Sequence, residues 1–291
     1  MTLDISIVVP FLNEERFVRR CVESLLASDY PRERYELIFI DNGSTDDGPR
    51  IVSEYPQVTL LTETRGKVYT ARNTGIASAS GQVIAFTDAD CVVGTRWLAS
   101  VHDAILVNGA TFAMGGVGFA TPRSALLGVI ETYRNDHIQY VIENQIWNHV
   151  YGYTNNMAVR ADVFERLGPF EELPVPGDTE IVHRSLRRLP ETRIVYRPDM
   201  WVDHLEIARM GTLYRKLIDY GEFEIHLPQV RYAPLRYRRR WDAEIHSFRK
   251  NRFSIRQRFL FWFGVFSCLG CFKLGIWRGR MRKAFRKRRT P

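Results

Sequence analysis

The feature that most constrains this chain is an alternation. Through the first ninety residues, short apolar runs rich in β-branched side chains take turns with stretches of helical period. Ile5 to Val9, closed by Pro10, then Leu37 to Ile40, Val58 to Leu61 and Val83 to Thr87 read as strands. The runs are continuously apolar rather than alternating, the pattern of strands covered on both faces. Between them, a helix is expected from about Asn13, whose side chain can cap it, with Phe17, Val18, Cys21, Val22, Leu25 and Leu26 on one face. Helices over Gly48 to Tyr55 and Thr70 to Ala79 continue the pattern. Strands and helices in strict succession predict an α/β chain with a parallel sheet and covering helices.

In such sheets, ligands bind beyond the carboxyl ends of the strands. Asp41 follows the second run, and Asp88 and Asp90 follow the fourth in "GQVIAFTDADCVV", Gly81 to Val93. Two carboxylates one residue apart repel, and burying either without a partner costs several kcal/mol. A divalent cation and ligand hydroxyls between them remove that penalty. A hard ion such as Mg²⁺ or Mn²⁺ prefers oxygen ligands and bridges carboxylate to phosphate.

Six segments in order carry a resemblance: "SIVVPFLNEE", "ELIFIDNGSTDDG", "ARNTGIASASGQVIAFTDAD", "NNMAVRADVFERLGPFEE", "GDTEI" and "YRPDMWVDH". In these, from residue 5 to about 204, the chain resembles the family 2 glycosyltransferases with the GT-A nucleotide-sugar fold. The resemblance implies a Rossmann-like, mostly parallel central sheet flanked by helices, and inverting sugar transfer from a nucleotide sugar. It implies that Asp41 accepts a hydrogen bond from the nucleobase, in a pocket lined by Pro10 and Phe11. Asp88 would hold the ribose hydroxyls and Asp90 the metal. Arg72 would stand near the donor, its alternative being a surface helix arginine. His204 would reach the metal or diphosphate, neutral imidazole being an acceptable Mn²⁺ ligand. Asp178 would be the general base, a role compatible with capping the helix that "GDTE" begins.

The chain departs from the family pattern at two places. Asn42 stands where a second Asp is more usual, which leaves the base open, and Gly177 stands where the first of an acidic pair is expected. The second departure leaves Glu180 as an alternative base. Between Pro122 and Val150 the sequence reads as an amphipathic helical insertion bounding the acceptor site, with Trp147, Tyr151 and Tyr153 either stacking on an acceptor or packing in the core.

Charge is segregated. Of the 41 Lys and Arg, 14 lie between Arg249 and Pro291, which holds no Asp or Glu, so the other 27 stand against all 33 acidic residues and the body is net −6. This argues against nucleic acid as a partner and for an anionic surface near the C-terminus. Within that region "FLFWFGVFSCLGCFKLGIW", Phe259 to Trp277, approaches the about 20 apolar residues needed to span a bilayer, yet basic residues flank both ends. A segment lying in the interface of an anionic membrane, or dipping in and returning, fits better than a single span, with a buried helix in an oligomer as the alternative.

Four cysteines without framework spacing fit a reducing compartment. The N-terminus shows no signal-peptide pattern, and no GxGxxG follows the first strand, which sets a dinucleotide oxidoreductase aside. "YRRRW", Tyr237 to Trp241, is only a faint likeness to the Gln-x-x-Arg-Trp signature of processive synthases, so one sugar per event is expected.

Together these readings predict a catalytic domain over 1–225 and a basic, hydrophobic, helical, membrane-associating tail over 226–291. The expected enzyme works at the cytoplasmic face of the inner or plasma membrane, peripherally or monotopically. It takes a nucleoside-diphosphate sugar, UDP-sugar favoured, and a membrane-associated saccharide or lipid-linked acceptor, with Mg²⁺ or Mn²⁺. Transfer to polyprenyl phosphate and a non-catalytic sugar-nucleotide-binding subunit are the alternatives.

Overall fold

The computed structural model describes residues 3–65, 68–121, 124–172, 177–224 and 241–287. These form two compact units, one from the described residues of 1–118, 151–172 and 177–205, the other from those of 119–150 and 206–291. The expected boundary at 225/226, and Tyr237 to Arg240 of "YRRRW", lie outside the described residues.

The first unit is built on an eight-stranded sheet: β1 (Ile5–Phe11), β2 (Tyr35–Asp41), β3 (Val58–Thr62), β4 (Val83–Thr87), β5 (Cys91–Val93), β6 (Phe112–Phe119), β7 (Asn156–Arg160) and β8 (Ile194–His204). The spatial order is β3-β2-β1-β4-β7-β6-β8-β5. β1 to β4 pair in parallel, as the alternation predicts. Beyond β4 the pairings β4–β7, β6–β7 and β5–β8 are antiparallel, so the sheet is mixed. Helices α1 (Val18–Leu26), α2 (Gly48–Ser53) and α3 (Val68–Ser78) make the parallel crossovers, and α4 (Trp97–His102) follows β5. The apolar runs became strands because both faces are covered: every residue of β1 and of β4 is buried.

Two local expectations fail for identifiable reasons. Asn13 does not cap α1, which begins at Val18 without a side-chain cap. It adopts a left-handed backbone at φ 57°, and its Oδ1 accepts from the Thr45 N–H at 2.8 Å, tying the β1 loop to the β2 loop. Pro10 does not end β1, because the β1–β4 register stops at Val8↔Phe86 and a missing N–H beyond that point costs the β4 ladder nothing.

The glycines of β6 mark a close approach. A Cβ on Gly115 would lie 1.8 Å from the Met200 carbonyl oxygen of β8. Asn156 of β7 ties the region together, its amide donating to the carbonyls of Gly116 and Met200 and accepting from the Trp97 indole.

In the second unit, α5 (Ala125–Glu143) begins at Ser124, whose hydroxyl accepts from the Leu127 N–H. Helices α6 (Asp162–Leu167) and α7 (Gly177–Arg188) belong to the first unit. α8 (Met210–Glu224), α9 (Asp242–Lys250) and the 33-residue α10 (Ile255–Lys287) complete the second. One face of α10 is core: Phe261 and Val265 are buried with Val129 of α5, among Tyr133 and Phe248. Asp136 of α5 is held by Ser247 and Lys250 of α9 and by Asn251.

Candidate functional site

The carboxyl ends of β1, β2 and β4 carry three groups of predicted residues. At the first, Phe11 and Asp41 face each other in the β1–β2 register. Asp41 Oδ1 accepts the Ser44 N–H at 2.8 Å, an Asx turn that uses one of its two oxygens. Pro10 is buried, and Phe11 is 3 % exposed, its ring tilted against Phe39. Beside them Asn42 is buried, and its Oδ1 has no hydrogen-bond partner among the described residues. An orphaned buried acceptor is costly unless a ligand satisfies it.

The second group forms where β4 ends. Asp88 accepts a 2.7 Å hydrogen bond from the Arg72 guanidinium. Arg72 sits on α3 with a side chain 5 % exposed, not on the surface as the alternative reading had it. Its guanidinium stacks over the ring of Tyr69, 5.5 Å from the centroid. Tyr69 in turn donates its hydroxyl proton to Asp178 Oδ1 at 3.2 Å. Asp178, in the first turn of α7, also accepts the Thr179 N–H at 2.8 Å and the Thr154 N–H at 3.4 Å. Burial pushes the Asp178 carboxyl above the usual carboxylate range, partly opposed by the Arg72 charge and these donors. Burial likewise pushes the Tyr69 phenol well up, so it stays protonated and donates.

Glu180, the alternative base, is 2 % exposed and paired with Arg184 one turn on at 3.2 Å. Arg184 itself donates to the carbonyls of Leu167 and Pro169, so this pair anchors α7 to the end of α6. Of the two acids, Asp178 is the one that contacts Tyr69.

The third group comes from the antiparallel edge. The β5–β8 register sets Cys91 opposite His204, and the Leu205 N–H donates to the Asp90 carbonyl at 2.8 Å. His204 Nδ1 thereby stands 3.2 Å from Asp90 Oδ2. A ligand atom from each of Asp90, Cys91 and His204 lies within 4.8 Å of the others, and all three residues are buried. The Asp90 carboxylate offers the oxygen that a hard divalent cation prefers, and the His204 imidazole a nitrogen beside it.

The structure thus joins Arg72, Asp88 and Asp178 into one chain of contacts and Asp90 with His204 into another. Pro10, Phe11 and Asp41 lie at the carboxyl ends of β1 and β2, with β1 next to β4 in the sheet. Sequence reading missed Tyr69 and Cys91. Tyr69 lies three residues before Arg72, on the same helix face; Cys91 adjoins Asp90. Asp203, beside His204, is inside β8 and accepts from the Trp201 indole at 3.0 Å. Tyr153 donates to the Gly115 carbonyl, a packing role, while Tyr151 is exposed.

A mixed, helix-flanked sheet with an Asp-x-Asp at a strand exit defines a GT-A-type nucleotide-sugar fold. The chain belongs to glycosyl transferase family 2, whose family model matches residues 6–168. It is 29 % identical over 179 residues to glycosyltransferase AglE of Haloferax volcanii, covering 60 % of this chain and 58 % of that protein. The chain therefore spans well under two thirds of that relative. Among solved structures it is similar to Staphylococcus aureus TarS 1–349 in complex with UDP-GlcNAc, at TM-score 0.54 and 15 % identity, covering 93 % of this chain and 82 % of that one. It is also similar to the mannosyltransferase PcManGT of Pyrobaculum calidifontis in complex with GDP-Man and Mn²⁺, at TM-score 0.57 and 18 % identity, covering 92 % and 74 %.

Proposed function

We propose that this protein is an inverting glycosyltransferase that moves a sugar from a nucleoside-diphosphate sugar, UDP-sugar favoured, to a membrane-associated saccharide or lipid-linked acceptor. The observation that carries the reading is the contact chain from Asp88 through Arg72 and Tyr69 to Asp178. It sets a donor-side carboxylate and a carboxylate of raised pKa at two ends of one connected site, as single-displacement transfer requires.

Asp41 and the unsatisfied Asn42 Oδ1 recognise the base, with Pro10 and Phe11 as the wall behind it, and Asp88 takes the ribose hydroxyls. Asp178 removes the acceptor hydroxyl proton as that oxygen bonds to the anomeric carbon and the bond from that carbon to the diphosphate breaks. Its raised pKa makes it a better proton acceptor than an ordinary surface carboxylate. Asp90 and His204 would hold Mg²⁺ or Mn²⁺, which, when bound, neutralises charge developing on the departing diphosphate. Arg72 orients Asp88 through its 2.7 Å hydrogen bond.

The membrane reading rests on α10. Ile255, Phe259, Phe263, Phe266, Leu274 and Trp277 are between 45 % and 88 % exposed. At 3.6 residues per turn their spacing puts all six within an arc of about 100°, opposite the face that packs on the rest of the unit. The helix is long and apolar enough to cross a bilayer, but crossing would carry the α5 side packed against it, with buried Glu131 and Asp136, toward hydrocarbon. A helix lying in the interface buries the apolar arc and leaves the basic residues to anionic headgroups. Sugar nucleotides are made in the cytoplasm, which places the working surface on the cytoplasmic face.

The test is nucleotide release from UDP-, GDP- and TDP-sugars with Mn²⁺ or EDTA, using detergent-extracted protein and membrane lipids as acceptor source. Metal-dependent turnover of one donor, lost in Asp90→Ala and Asp178→Asn, is expected. Tight donor binding without turnover would replace the transferase reading with that of a binding subunit.

A further inference from the structure

At Gly177 the chain carries no side chain where an acid was expected, and the space is filled from another element. A Cβ there would lie 2.9 Å from Cδ1 and 3.0 Å from Cε1 of the Tyr69 ring. These are mid-ring atoms on a side chain already fixed on its other sides. The Tyr69 ring lies 5.6 Å from that of Phe170, centroid to centroid, and the Arg72 guanidinium stacks over it. Its hydroxyl donates to Asp178 Oδ1. The glycine and the tyrosine therefore form one device: absence of a side chain at 177 lets the α3 ring reach the carboxylate of the adjacent residue on α7.

We propose that Tyr69 is a positioning residue for Asp178, supplying from α3 the orienting contact that a neighbouring acid would otherwise give, and that Gly177 is required for it. The proposal rests on Asp178 being the base. A phenol O–H orients a carboxylate without adding negative charge, whereas a second acid beside Asp178 would raise its proton affinity by repulsion. The hydrogen bond favours the ionised form, so it limits how far burial lifts the proton affinity of Asp178. It also ties the base to Arg72 and hence to Asp88, so that donor and acceptor sides are held by one stack.

Tyr69→Phe tests this, because the ring, its contact with Phe170 and the stacking of Arg72 all remain. The pH profile of kcat/KM should move its acidic limb upward by about one pH unit, since a hydrogen bond to the charged form is lost. At a pH below the wild-type limb kcat should fall about tenfold, the equivalent of that one-unit shift, while KM for the donor stays within twofold. Gly177→Ala, which displaces the ring, should shift the limb in the same direction in the wild-type background and have no further effect in the Tyr69→Phe background. A merely structural role for Tyr69 would lower the amount of active enzyme without moving the limb.

The second readout needs no turnover. The Asp178 carboxyl is titrated by ¹³C NMR of aspartate-labelled protein, its resonance assigned by its loss in Asp178→Asn. An upward shift of that titration in Tyr69→Phe supports the proposal, and an unchanged titration overturns it. If Asp178→Asn instead keeps its transfer rate, the assignment of the base fails while the NMR result still decides whether Tyr69 governs Asp178.

Discussion

His204 and Asp90 meet at 3.2 Å because β8 returns antiparallel beside β5, which sets Cys91 and His204 at one register position and pins Leu205 to the Asp90 carbonyl. The imidazole reaches the Asp-x-Asp segment from a strand far along the chain. Loss of either ligand should weaken Mn²⁺ binding at least as much as the roughly 10- to 100-fold typical of lost outer-shell partners. Isothermal titration of Mn²⁺ into the nucleotide-saturated protein measures this for Asp90→Ala and His204→Ala. Affinity within twofold of wild type in both variants would remove the pair from the metal site.

Asp178→Asn should lower kcat by about 10²- to 10⁴-fold with donor affinity retained. Its effect on stability has the opposite sign. A carboxyl whose folded pKa is raised binds its proton more tightly folded than unfolded, so the wild type loses stability as pH rises from the ordinary carboxylate range through the raised value. Asparagine removes that cost. The Tm of Asp178→Asn at pH 7 should equal or exceed that of wild type, with the difference shrinking as pH falls to about 4, the ordinary carboxylate value. A variant less stable than wild type at pH 7 would show that the carboxylate is a net stabiliser.

Gly115→Ala should be strongly destabilising, by about 3 kcal/mol or more, because the new Cβ would meet the Met200 carbonyl and neither sheet backbone can yield without breaking its ladder. Gly211→Ala, at a helical position with nothing within 4 Å of the new Cβ, should instead stabilise by about 0.5–1 kcal/mol. Urea unfolding midpoints separate the two; equal midpoints would contradict the packing described for β6 and β8.

Replacing Phe259, Phe263 and Phe266 together by Ser should reduce binding to vesicles of anionic lipid more than 100-fold, since each phenylalanine buried in the interface contributes about 1.5–3 kcal/mol. Helix content by circular dichroism should hold, because all three lie on the exposed arc. Wild-type binding should weaken with salt. Unchanged vesicle binding together with a change of oligomeric state on sedimentation would assign the arc to a second copy of the chain.

The four parallel strands and their crossover helices are legible in the sequence because their signals are local: continuous β-branched runs, a 3.6-residue period, and acids at the exits of the second and fourth runs. The same locality marks Asp41, Asp88 and Asp90 as strand-exit acids, and basic clustering marks the C-terminal region. What the tertiary structure decided depends on contacts between segments distant in sequence. Asn13 looked like a helix cap until Thr45 offered its N–H a better-placed demand across the loop. For Arg72 the sequence leaves a donor-side arginine and a surface helix arginine both open, and the tertiary structure buries it against Asp88 and Tyr69. Gly177 looked like a missing acid, and only the ring of Tyr69, delivered by α3, shows what fills its place. Asp178 and Glu180 are likewise indistinguishable by spacing, since both begin the same helix; in the fold Glu180 pairs with Arg184 and Asp178 contacts Tyr69. Periodicity and strand-exit chemistry are written along the chain, whereas a side chain's partner is set by which distant backbone the fold brings next to it.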